Sequence, residues 1–191
     1  KSEQLQKSGK VKYGYVWQGR QYEGLSCVFL EVIKGFNGDW IDDSGQVKLE
    51  EEESIKAARW LKTLLDRSVT PKSITNFTET ESLQAFEAGD SAFMRNWPYA
   101  WTELEGETSS VVGKVDVSNM VSTKNGEPTS TLGSWGFSIL KGSNNQEEAF
   151  EVINHLTSEK VQKELFLNYS YTPTRLSLFK DKELLQNSPI L

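Results

Sequence analysis

Few side chains in this 191-residue chain are placed to make or break bonds. The single histidine, His155, stands beside Leu156 in a helical pattern with no serine or cysteine motif around it, so a polar-face histidine explains it better than a general base. Glu103 and Glu105 are the nearest approach to a glycosidase carboxylate pair. They flank a turn at Gly106, where a solvated surface is the ordinary outcome. The one cysteine, Cys27, excludes a disulfide framework and a multi-cysteine zinc site. Within LSCVFLEVIKGF it reads as a small core residue. No phosphate loop, dinucleotide fingerprint or metal-spaced cluster is present, so neither a catalytic residue nor a cofactor is expected.

Recognition by aromatic side chains has more to work with. MRNWPYAW, residues 94–101, places Trp97, Tyr99 and Trp101 within five positions, and Pro98 pushes Trp97 towards extended backbone. In open α/β sheets, ligands gather outside strand ends of this kind. Trp135 sits between Gly133 and Gly136 in GSWG, where backbone can approach a ligand closely and the Ser134 hydroxyl adds a polar group. Arg175, in PTR, offers a planar fork suited to hydroxyls or a carboxylate. An aromatic face suits the C–H face of a pyranose ring, yet core aromatics and a surface arginine give the same spacing. At this level both readings stand.

The elements that must hold these residues follow from periodicity. VKYGYVWQG (11–19) and SAFMRN (91–96) are expected strands, and LGSWGFSILK (132–141) a glycine-hinged turn into a third. Leu25, Val28, Phe29, Val32, Ile33 and Phe36 recur at three and four and predict one helix face. A second helix is expected from Glu51 to about Ser68, with carboxylates in its first turn, and a hairpin or loop turning at Asp43-Ser44-Gly45 precedes it. Thr78 and Glu81 have capping-box spacing for a helix ending at Gly89. Two further helices are expected, one capped by Asn145 and one starting at Thr157 or Ser158, with an irregular polar stretch over 103–130. Alternating strands and helices argue an α/β class.

Composition narrows the partners. The chain is long enough for one domain or a domain and a half, and its net charge is −6 with Lys and Arg scattered singly, which disfavours nucleic acid. No apolar run approaches the roughly 18 residues of a membrane span. The chain opens on a polar, charged stretch with neither Met nor a signal-peptide pattern, which fits an excerpt of something longer.

Taken in order, YGYVWQGRQYEGLSCVFLEVIKGFNG (13–38), FEAGDSAFMRNWPYAW (86–101), TLGSWGFSILKGSNNQEEAFEVINHLTSEKVQKE (131–164) and YTPTR (171–175) resemble the extracellular solute-binding proteins of sugar ABC transporters, family 1, and within them the trehalose/maltose-binding group. The resemblance implies a periplasmic-binding-protein-like (type II) α/β fold, with residues 1–191 as the C-terminal lobe region and 111–158 as the segment crossing to the other lobe. It implies a stacking tryptophan at Trp97 with Tyr99 beside it, cleft contacts at Ser134 and Trp135, a hydrogen-bonding arginine at Arg175, and a further contact at Tyr22. The implied partners are a maltose- or trehalose-like di- or oligosaccharide bound between the lobes and the transmembrane subunits of an ABC permease. The implied location is periplasmic or extracellular, with a lipid anchor on the full-length protein as an option. A carbohydrate-active enzyme or a sugar-sensing receptor module is the alternative.

Overall fold

A computed structural model describes residues 1–187 and 190. The chain forms two compact units, Lys1–Trp97 with Glu107–Thr131, and Pro98–Gly106 with Leu132–Leu191.

In the first unit the three-four repeat of Leu25 to Phe36 folds as a helix, Glu23–Gly35 (α2), after a short α1, Ser2–Lys7. Its apolar stripe packs on α3, Glu52–Asp66, whose first turn carries Glu52 and Glu53 where the helix dipole favours negative charge. Val16, Val28, Ile33, Ala57 and Ile74 are wholly buried between them. Trp60 of α3 meets Phe36 edge-on and Tyr15 at a tilt, with both ring pairs 6.4 Å apart. Each of the fully buried Val and Ile side chains contributes roughly 1.5–3 kcal/mol relative to exposure. The helix Glu79–Glu87 (α4) follows, and Glu81 accepts the Thr78 backbone N–H at 2.6 Å, the return limb of the expected capping box.

The expected α/β class is corrected by the backbone: among the described residues there is no strand, only isolated bridges. Segments 13–16 and 91–94 run parallel and touch at Tyr13–Ser91 and Val16–Met94. Between those points the amides of Gly14 and Tyr15 both turn to one acceptor, the Val69 carbonyl, at 2.7 and 3.3 Å. That bulge breaks the two-residue alternation on which a ladder depends. Gly14 is wedged there, because a Cβ on it would lie 2.7 Å from the Ser2 Cβ. Ile41 and Val47 form a third, antiparallel bridge across the turn that follows Asp42.

The second unit contains α5 (Ala100–Leu104), α6 (Gln146–Leu156), α7 (Glu159–Tyr169) and α8 (Lys182–Asn187). Phe166, Leu178 and Leu184 form its small core, and Lys163 ties α7 to Asp181 at 2.7 Å. Ser158 caps α7 by accepting the Val161 N–H, whereas Asn145 precedes α6 without a side-chain cap bond. Residues 132–141 do not become the expected strand. No neighbouring described segment supplies them a ladder, and Leu132 and Trp135 stand almost wholly in solvent. The α5 helix replaces the start of the expected polar loop.

Candidate functional site

Two of the residues singled out from sequence are brought together in the first unit. Tyr22 caps the start of α2, Trp97 follows the extended 91–95 segment, and both donate to Glu79, the first residue of α4. The Tyr22 hydroxyl reaches Glu79 Oε2 at 2.7 Å, and the Trp97 indole N–H reaches Oε1 at 3.0 Å. Asn96 braces the corner by donating from Nδ2 to the Glu79 carbonyl at 3.1 Å and accepting the Trp97 backbone N–H at 2.8 Å. All three of Tyr22, Glu79 and Trp97 are half-buried.

Beneath Trp97 lies a buried ion pair. The Arg95 guanidinium stacks 4.1 Å from the centroid of the indole ring and grips Glu31 of α2 through two bonds of 2.9 and 2.7 Å. Gln18 completes the cradle, accepting from Arg95 Nη1 and donating to its carbonyl, each at 3.0 Å. Glu31 Oε1 also accepts the backbone N–H of Thr131 at 3.0 Å.

Electrostatics follow from these partners. Burial works against the Glu79 charge, but the bonds from Tyr22 and Trp97 and the nearby Arg95 outweigh it and hold the carboxyl below its usual range. Burial, then the bond to Glu79, pushes the Tyr22 hydroxyl well above the ordinary tyrosine value. Burial also opposes the Arg95 charge, and its bond to Glu31 more than compensates.

Gly24 makes room for this arrangement. A Cβ there would collide with the Tyr22 ring, which folds back over the first turn of α2. Sequence reasoning missed Glu79, Arg95, Glu31, Gln18 and Gly24. For Arg95 alone a signal existed, a charge directly after the apolar run Ala92-Phe93-Met94 in an expected strand.

The other expected contacts lie in the second unit. Trp135 is fully exposed, with the Ser134 hydroxyl donating to its carbonyl at 3.3 Å. Trp135 borders an open cavity of about 270 Å³ lined also by Leu156, Thr157, Gln162, Tyr171 and Pro173. Arg175 is exposed and donates from Nε to the Thr157 carbonyl at 2.7 Å. Tyr99 is half-buried at the start of α5. Among the described residues no group of three or more potential metal ligands occurs, and no helix is long and apolar enough to cross a membrane.

Comparison with known proteins gives these features a context. The family described as "Bacterial extracellular solute-binding protein" matches residues 1–163. A "Probable ABC transporter-binding protein" of Deinococcus radiodurans is 37% identical over 184 residues, 96% of this chain and 44% of that protein. A "Probable amino-acid ABC transporter periplasmic-binding protein" of Sinorhizobium fredii is 25% identical over 93% of this chain and 40% of its own length. The structure "Maltose bound T. maritima MalE3" superposes with a TM-score of 0.93 at 35% identity, covering 98% of this chain and 49% of that one. The chain therefore spans less than half the length of these relatives.

The narrower resemblance does not survive. A C-terminal α/β lobe of the trehalose/maltose-binding group requires a sheet, and the described residues contain none. The sugar held between two sheet-based lobes and the permease that would receive it depended on that architecture, and both expectations fall with it. The named relatives are transport and binding proteins, and with them the chain is a non-enzymatic protein of the periplasmic or extracellular space.

Proposed function

This chain belongs to the bacterial extracellular solute-binding protein family, and from that premise we propose that it is a binding element of a transport system that holds a small polar solute against Trp97 and Tyr22. The observation that carries the reading is the convergence of both side chains on the Glu79 carboxylate. Two amphipathic aromatics present apolar area at low entropic cost, and the carboxylate between them retains accepting capacity for a hydroxyl or N–H of the solute. Arg95 covers one face of the indole ring, and the solute of this proposal packs against the half-buried ring from the other side. Trp135, Ser134 and Arg175, and separately Tyr99, are proposed as additional contacts of the full-length protein. A lipid anchor on that protein is the finer form of its location, tested by metabolic labelling with palmitate.

The experiment is calorimetric titration of the chain, and in parallel of the full-length protein, with polyols, mono- and disaccharides and neutral amino acids. The expected result is saturable binding of one class that is lost in Trp97→Ala and weakened in Tyr22→Phe. Binding that survives Trp97→Ala undiminished, or no binding by either folded protein, rejects the reading. Trp135→Ala and Arg175→Ala, made in the full-length protein, test the second group.

A further inference from the structure

Glu79 touches both aromatic side chains of the proposed site. We propose that Glu79 is the positioning residue of that site, its ionised carboxylate fixing the Trp97 indole and the Tyr22 phenol together and releasing both when it is protonated. This rests on the reading of Trp97 and Tyr22 as solute contacts.

Each carboxylate oxygen takes one aromatic donor, Oε1 from Trp97 and Oε2 from Tyr22, so neither ring turns without breaking its bond. A charged acceptor makes these bonds about twice as strong as neutral ones. Glu79 is itself held. It opens α4, where the helix dipole favours its charge, and its carbonyl is fixed by Asn96. Trp97 is thus constrained at its indole N–H by Glu79, at its backbone by Asn96 and on one face by Arg95. Tyr22 has the Glu79 bond and the recess above Gly24. Protonation of Glu79 removes the charge and one acceptor oxygen, weakening both bonds at once.

The charged neighbours are few. Arg95 and the Tyr22 phenol act on Glu79 directly, Glu23 stands near Tyr22, Arg20 near Glu81, and Glu31 is reached through Arg95. Glu81 is committed to Thr78 and Glu31 to Arg95.

The test reads the indole ¹H–¹⁵N resonance of Trp97, assigned by its disappearance in Trp97→Phe, in protein free of solute. The expected result is one acid titration step with a midpoint below the ordinary glutamate value. That step should be absent from Glu79→Gln, retained in Glu81→Gln and Glu23→Gln, and moved to higher pH in Tyr22→Phe. At neutral pH, Glu79→Gln should already displace the resonance and should weaken solute binding by about tenfold, the worth of one charge-assisted bond. An indole resonance indifferent to Glu79→Gln overturns the proposal. Because the resonance is read without solute, it judges Glu79 separately from the titrations that judge the binding site.

Discussion

Arg95 and Glu31 face each other with both side chains only 2% exposed, 64 residues apart in sequence and joined by two hydrogen bonds. Burying two charges costs several kcal/mol each, and such a pair persists because the remaining donors and acceptors are also met. Here Gln18 takes a third guanidinium N–H and the Thr131 amide a further lone pair of Glu31, while the Trp97 ring covers the guanidinium face.

Removing one partner should therefore be much worse than removing both. Arg95→Met should lower unfolding free energy by about 3–5 kcal/mol, and Arg95→Met/Glu31→Leu should recover a substantial part of that. Urea denaturation followed by circular dichroism measures both. A single variant as stable as wild type would mean that water reaches the pair.

Gly24→Ala should destabilise, because the new methyl displaces the Tyr22 ring and breaks its bond to Glu79. In a Tyr22→Ala background the same substitution should stabilise by roughly 0.5–1 kcal/mol, since alanine is the better helix former once the clash is gone. A thermal-melt cycle of the four proteins gives the sign. Equal effects in both backgrounds would remove Tyr22 as the reason for the glycine.

Asp42 organises the turn before α3, accepting from the Ser44 hydroxyl, the Gln46 and Ser44 amides and Lys48. These bonds, the Ser44 hydroxyl first, lower its pKa from 3.8 to about 2. A depressed folded-state pKa stabilises above the unfolded value and stops doing so as pH falls through the folded one. Between pH 4 and 2, Asp42→Asn should flatten the acid dependence of the urea midpoint. An unchanged slope would assign that window to other carboxylates.

Cys27 should be slow to react. Burial, then its bond to Glu23 Oε1, pushes the thiol up from 9.0 to about 11. At pH 8 that leaves about a hundredfold less thiolate than an unperturbed cysteine would have. Reaction with a disulfide reagent should thus be at least that much slower in native protein than in guanidinium. Comparable rates would show that α2 opens readily.

The longer helices, α2, α3, α4, α6 and α7, were legible in the sequence because their signal is local: apolar residues three and four apart, a capping pair at Thr78 and Glu81, acidic first turns. The short α1, α5 and α8 carry too few turns to show such a pattern. The expected strands failed for a non-local reason. Tyr13, Tyr15 and Trp17 alternate as a strand should, but whether they form a ladder is settled by where the Val69 carbonyl lies. The same distinction divides the site. Trp97 was visible as an aromatic in an unusual setting and Tyr22 only through the family resemblance, whereas Glu79, Glu31 and Gln18 look like ordinary surface residues until their distant partners are known. Gly24 was invisible because its contribution is the volume it leaves to Tyr22.

The cation fixed 4.1 Å from the Trp97 ring also makes this residue an optical gauge. Indole redistributes electron density when it absorbs light, and a stationary positive charge on one face biases the energy of that redistribution. Anything that settles on the opposite face, or tilts the ring against Arg95, alters the colour of the emission as well as its strength. Trp97 is one of six tryptophans, so a difference spectrum against Trp97→Phe isolates its share of the emission and with it the influence of that fixed charge.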